Sequence, residues 1–321
     1  MLTPKDDLRH HLRPGPHSRE SLFYDLVLPE EGLLVFTYTW VNADEQAGHL
    51  FAVVGDDNEK LAFSAADGVP TDGRDFDDWR VEGGSGNVWV KHAEPLSTAL
   101  YGADAEGASL TAEFVGTHQA FDYARNDDGC PDFIADNRFE QGARVRGTLT
   151  LNDSADGHSA DAPLRVIHFD TTGHRDHSWG TRDWDAIQDW KWVSAQVDDG
   201  LQLNVMILHA WGETTYHGYV VADGELQPVV HAKTRAGYDD NWWQKTLHMT
   251  ILDAGGRRTE VSGDRYALLN FQAGERITLN EAAFRGTING REARMHFENG
   301  WDRSYSDAQI RRLGGSLLAG T

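Results

Sequence analysis

The chain of 321 residues carries 51 Asp and Glu against 29 Lys and Arg, a formal net charge of −22, with 40 % hydrophobic residues, 11 Trp and one Cys. Such a charge repels phosphate backbones and anionic bilayers, which argues against nucleic acid as a partner and against stable membrane insertion, and no apolar run approaches the roughly 18–20 residues of a span. Cys130 alone allows neither an intramolecular disulfide nor a cysteine-based zinc cage.

Residues 1–20 are polar and carry no apolar signal core, so a cytoplasmic location is expected. From there the dominant period is two. Residues 22–28, 33–41, 49–54, 87–92, 109–115 and 145–151 read as strands. So do 164–169, 191–197, 201–208, 215–221, 247–252, 266–271, 276–282 and 293–297. Within 33–41, Leu34, Phe36, Tyr38 and Trp40 share one face, and the alternation predicts a half-exposed strand. Asp199-Gly200, Asp223-Gly224 and Asn289-Gly290 sit between apolar runs. Such pairs tolerate the positive φ of tight hairpins and predict antiparallel neighbours. Asp253-Ala254-Gly255-Gly256 is a looser turn. Residues 68–78 read as an acidic surface loop and 152–162 as a linker or long hairpin. One short helix is predicted at 307–313, with Ser306 as N-cap and Gly314-Gly315 as its stop. The expectation is an all-β chain of antiparallel sandwiches or barrels with little helix, in two domains, 1–160 and 161–321.

The densest chemistry lies at 173–184, Gly-His-Arg-Asp-His-Ser-Trp-Gly-Thr-Arg-Asp-Trp, with Trp190 and Trp192 close behind. Seven of the 11 Trp fall between positions 179 and 243. Charges interleaved with large rings are costly to bury unless paired. One reading makes Arg175 with Asp183, or Arg182 with Asp176, structural ion pairs. The other makes the segment a place where something is bound or protonated.

The twelve-residue element resembles the signature of the carotenoid 1,2-hydratase (hydroxyneurosporene synthase)/AttH-like superfamily. His17-Ser18-Arg19-Glu20-Ser21 is similar to the opening of that family. Phe139-Glu140-Gln141 with Arg144-Val145-Arg146-Gly147 resembles the element ahead of the signature, and Gly290-Arg291-Glu292 with Glu298-Asn299-Gly300-Trp301 its closing hairpin. The resemblance implies two lipocalin-like β-barrel domains packed together, the second carrying the Arg-Asp-His-Ser-Trp-Gly element, with an apolar pocket. It also implies hydration, cyclisation or isomerisation of an isoprenoid, terpenoid or steroid-like skeleton.

Such chemistry starts by placing a proton on the substrate. A carboxyl group desolvated among indoles is one acid for it, and indole faces stabilise a cation by about 0.5–2 kcal/mol each. Asp176 is the first choice, with His177 as relay and Asp183 as alternative acid. Trp179, Trp184, Trp190, Trp192, His209, Trp211, Tyr216, Tyr38, Trp40 and Glu298 are the expected pocket liners, His209 and Trp211 pointing together from one strand. Ser178 lacks the Gly-x-Ser-x-Gly surroundings of a nucleophile. No Rossmann or P-loop fingerprint and no His-Glu-x-x-His helix is present, so no cofactor and no metal are expected. The partner expected is a hydrophobic small molecule, the assembly a monomer or homodimer. The alternative function is a lipocalin-like carrier of an apolar ligand, without catalysis.

Overall fold

The computed structural model describes residues 1–71, 78–152 and 164–314. Of the described residues, 69 % lie in strands and 8 % in helices. The first strands are β1 (Ser18–Leu28), β2 (Leu33–Asn42), β3 (Gln46–Val54), β4 (Lys60–Pro70), β5 (Asp78–Gly83) and β6 (Gly86–Glu94). Next come β7 (Thr98–Ala105), β8 (Ala108–Gly116), β9 (Phe121–Asp122), β10 (Asn137–Asn152) and β11 (Leu164–Thr181). Then follow β12 (Ile187–Asp198), β13 (Leu201–Ala210), β14 (Glu213–Ala222), β15 (Glu225–Tyr238), β16 (Gln244–Asp253), β17 (Arg258–Ala273), β18 (Ile277–Ile288) and β19 (Arg291–Asp302), and the helix α1 (Arg303–Leu313).

The strands form two compact units. In the first, a nearly closed barrel-like sheet runs β4-β3-β2-β1-β11-β10-β8-β7-β6-β5, with β9 beside β10. In the second, β12 to β19 close an eight-stranded barrel of sequential antiparallel neighbours. Its hairpins turn where left-handed backbone is cheapest: Asp223 and Asn289 take φ of 54° and 51°, each followed by a glycine.

The units divide at Arg182/Asp183, not near residue 160. The strand β11 pairs with both β1 and β10, so the Arg-Asp-His-Ser-Trp-Gly element belongs to the first unit rather than the second. Most of the expected linker, residues 153–162, and most of the expected acidic loop, 72–77, lie outside the described residues. So does Gly315. Gly68 and Pro70 belong to β4 rather than to a loop. The helix begins at Arg303, not 307, because Asp302 rather than Ser306 caps it by accepting from the Ser304 amide. Gly314 closes it at φ 81°.

Alternation decides what each strand buries. Leu22, Tyr24, Leu26 and Leu28 of β1 join Val35 and Val41 of β2, Phe51 of β3, Val81, Val90, Phe114 and Val145 in the first core. The opposite face of β2 is not half-exposed as its pattern suggested: Leu34, Phe36 and Trp40 are buried as well. The second core contains Val193, Leu203, Val205, Leu247, Met249, Phe284, Met295 and Phe297.

Candidate functional site

The signature occupies the end of β11, so its residues alternate between two faces. Register fixes which: Leu22 pairs with His177 and Tyr24 with Arg175, while Ser21 pairs with Ser178 and Phe23 with Asp176. Arg175, His177 and Trp179 therefore share the core face of the first unit. His174, Asp176 and Ser178 share the opposite one.

On the core face the N-terminal segment supplies the partners. A single 3-10 turn at Pro4–Asp7 is started by Thr3, whose amide and hydroxyl donate to the Asp6 carboxylate at 2.6 and 2.8 Å. It delivers Asp7 to the Arg175 guanidinium through paired hydrogen bonds of 3.0 and 3.1 Å. Gln141 accepts from the same guanidinium at 2.8 Å, and the rings of Phe114 and Phe139 lie 5.0 and 5.1 Å away. Burial opposes ionising Asp7, yet Arg175, His177 and His92 together hold its carboxyl well below the usual range. His177 stands with Nε2 2.8 Å from Glu20 Oε1 and Nδ1 3.5 Å from Asp7 Oδ1. Burial lowers its pKa, but these two carboxylates win and raise it. His10 puts Nδ1 2.7 Å from the same Glu20 oxygen and stacks on Trp179 at 3.9 Å.

The opposite face carries a second polar group. Arg138 donates to Asp176 at 2.8 Å and to Glu140 at 2.6 Å, and Glu140 also accepts from Tyr123 at 3.1 Å. Beside them, Arg182 donates to the Ser21 hydroxyl at 2.6 Å, to the Ser178 hydroxyl, and to the Tyr38 hydroxyl at 3.2 Å. Tyr38 is half-buried between Trp40 at 5.1 Å and Phe23 at 6.5 Å, ring centre to ring centre. Burial raises a phenol, but Arg182 and Arg19 outweigh it and lower Tyr38.

The expected site residues thus separate. Asp176, Tyr38 and Trp40 share one face of the first sheet. Tyr38 and Trp40 lie opposite the barrel core rather than lining it. His177 and Trp179 occupy the core face. Asp176 is 8 % exposed, and its ion pair is with Arg138, a partner that neither sequence pairing named. Asp183 is exposed and caps the turn Trp184–Ala186 by accepting from the Asp185 amide.

The remaining residues lie in the second unit. Trp184 packs on Trp190 at 5.2 Å, and Trp190 donates its indole N–H to Glu298. Glu298 thus turns to Trp190, not to Trp301. Trp192 meets His296, which sits 2.8 Å from Glu281. His209 and Tyr216 take the core-facing parity, His209 2.9 Å from Asp189 and Tyr216 beside His231. Trp211 does not point with His209. It is 69 % exposed at the β13–β14 hairpin tip, where it and Gly212 adopt φ of 51° and 80°. The sequence reading missed Asp7, His10, Arg138 and Tyr123. Its one available signal for the first two was the Thr3-Pro4 start of a helical turn.

Gly180 of the signature shows why that position is glycine. Its φ is 113°, and an added Cβ would fall 2.4 Å from the Asp136 backbone nitrogen. That nitrogen donates to the Trp179 carbonyl at 2.8 Å. Gly180→Ala is expected to destabilise the first unit by about 2–4 kcal/mol, from strain plus displacement of that contact. Urea unfolding followed by tryptophan fluorescence measures it; a midpoint equal to wild type would contradict the clash.

Among solved structures, the AttH-like protein of Nitrosomonas europaea superposes with a TM-score of 0.64 at 11 % identity, covering 94 % of this chain and 97 % of that one. CghA superposes with a TM-score of 0.58 at 14 % identity, covering 89 % and 88 %. These likenesses establish an AttH-like, lipocalin-like fold. No curated protein matches the sequence. No helix among the described residues is long and apolar enough to cross a membrane. A family model described as Domain of unknown function (DUF7064) matches residues 3–303, and the chain belongs to that family.

Proposed function

We propose that the protein is an acid–base enzyme for a hydrophobic small molecule, and that Tyr38 is the group that moves the proton. The observation that carries this reading is the Tyr38 hydroxyl, 3.2 Å from the Arg182 guanidinium, half-buried among aromatic rings and shifted toward its ionised form. A guanidinium that stabilises the phenolate makes the phenol a readier donor. The other titratable groups of the signature are worse placed to meet a ligand. His177 is fully buried between carboxylates, and Asp176 is committed to Arg138 and orients the cluster.

The chemistry narrows the substrate. A phenol remains too weak an acid to protonate an isolated alkene, so the carotenoid-type hydration named by the resemblance fits this site poorly. Protonating an oxygen, such as the carbonyl of a conjugated terpenoid or steroid-like ketone, fits it well. The Tyr38 O–H bond breaks as the substrate oxygen takes the proton. Arg182 steadies the phenolate, and the phenolate recovers a proton when the activated skeleton loses one from carbon. The reaction class is isomerisation or cyclisation, with Phe23, Phe36 and Trp40 supplying apolar surface.

The test starts with mass spectrometry of small molecules that co-purify with the full chain. Wild type and Tyr38→Phe are then assayed for conversion of that molecule. The expected result is a fall in kcat of about 10²–10⁴ with an unchanged melting temperature. Wild-type turnover by Tyr38→Phe removes Tyr38 from the chemistry. Bound ligand with no product from wild type assigns the protein to carriage instead.

A further inference from the structure

We propose that His10, Glu20 and His177 hold a divalent transition-metal ion of the zinc class on the core face of the first unit. His10 Nδ1 and His177 Nε2 both point at one carboxylate oxygen, Glu20 Oε1, at 2.7 and 2.8 Å, and the three donor atoms lie within 4.8 Å of one another. Donors on a sphere of about 2.1 Å around zinc stand roughly 3–4 Å apart, so a small swing of the Glu20 carboxylate admits the ion. Two imidazoles and a carboxylate form a donor set suited to zinc, copper, nickel or iron rather than to magnesium or calcium.

A second observation points the same way. Each ring turns its other nitrogen toward a carboxylate. His177 Nδ1 lies 3.5 Å from Asp7 Oδ1, and His10 Nε2 lies 3.8 Å from Asp6 Oδ1. Proteins orient metal-binding imidazoles in this way, with an outer carboxylate fixing the tautomer and raising the basicity of the ligating nitrogen. Charge agrees: Arg175 offsets the buried Asp7, and a dication would offset the buried Glu20. Glu20 and His177 sit on the paired strands β1 and β11, whereas His10 comes from the N-terminal segment. The ion would clasp that segment to the sheet. Three protein donors are one short of a closed zinc site, so the fourth position falls to water or a small anion.

This proposal is independent of the Tyr38 reading, because the two clusters lie on opposite faces of the same strands. The experiment uses full-length protein stripped with EDTA, titrated with ZnCl₂ by calorimetry and melted with and without Zn²⁺. Metal analysis of the protein as purified accompanies it. The expected result is one Zn²⁺ per chain, a raised melting temperature, and loss of both in Glu20→Gln. His10→Ala, at a partly exposed residue that leaves the sheet intact, is expected to weaken binding at least 100-fold with an unchanged circular dichroism spectrum. Asp6→Asn is expected to weaken it about tenfold. The proposal is overturned if wild type binds no stoichiometric Zn²⁺ and does not shift its melting temperature. Equal Zn²⁺ binding by wild type, Glu20→Gln and His10→Ala also overturns it.

Discussion

Arg175→Met is expected to destabilise the first unit by about 3–5 kcal/mol, because it strands the buried Asp7 carboxylate without its guanidinium. The methionine keeps most of the packing against Phe114 and Phe139, so the loss is electrostatic rather than a cavity. His92 and His177 lie near Asp7 but cannot replace the paired hydrogen bonds. Two measurements check this. Urea unfolding followed by tryptophan fluorescence gives the stability difference. Limited proteolysis reads the N-terminal segment, which Arg175 anchors through Asp7, and it should be cut sooner in the variant. The double variant Arg175→Met/Asp7→Leu removes both charges and should regain more than half of the loss. Buried pairs replaced by apolar groups are often close to neutral. If the double variant is as unstable as the single one, Arg175 acts through packing and the electrostatic account fails.

Much of the fold is legible because hairpins are written locally. Asp223-Gly224 and Asn289-Gly290 mark two turns of the second barrel, and a run such as Leu247-His248-Met249-Thr250-Ile251 alternates cleanly. The strands that escaped lack that contrast. In β15 the sequence Glu-Leu-Gln-Pro-Val-Val-His-Ala-Lys-Thr-Arg-Ala-Gly-Tyr offers few large apolar residues and contains Pro228. Its ladder with β16 supplies what its own side chains do not. In β4, Lys60–Pro70, small residues dominate, and pairing with β3 decides the matter.

The site is legible in its residues but not in its geometry. The twelve-residue element marks chemistry, and two of the weaker stretches prove to be its neighbours. Glu20 and Ser21 on β1, and Glu140 and Gln141 on β10, flank it in the sheet. What sequence does not supply is phase. Along 174–179, where every residue is polar or aromatic, alternation cannot say which parity meets the core. Asp176 and His177, adjacent in sequence, therefore read as one catalytic pair although the strand sends them to opposite faces. Long-range partners are equally silent. Nothing in a polar N-terminal stretch announces that Asp7 will meet Arg175, 168 positions away.

Acidification from pH 7 to 4.5 is expected to cost the first unit several kcal/mol, through histidines that the fold holds neutral. His118 shows the cause most directly. Its Nε2 accepts the Gly142 amide at 2.9 Å, so its hydrogen sits on Nδ1, 2.8 Å from the Gln119 carbonyl. Protonation must break the Gly142 contact, and burial adds to the penalty, pushing the pKa down to about 4. Burial also pushes His92 to about 4, against the opposing pull of Asp7. The unfolded chain binds these protons from about pH 6.5, whereas the folded chain resists until about 4. The stabilisation is complete above 6.5 and is lost as pH falls between those values, by roughly 2–3 kcal/mol per histidine. Below about pH 4 the depressed carboxyls of Asp7 and Glu20 continue the loss. His177 has the opposite sign. Its pKa is raised, so its contribution is complete in acid and lost as pH rises through its folded value. Urea midpoints across pH 4.5–7.5 measure the slope. In His118→Gln the amide oxygen can still accept from Gly142 but cannot titrate, so the acid slope should fall by about half. An unchanged slope would exonerate His118 and leave His92 as its source.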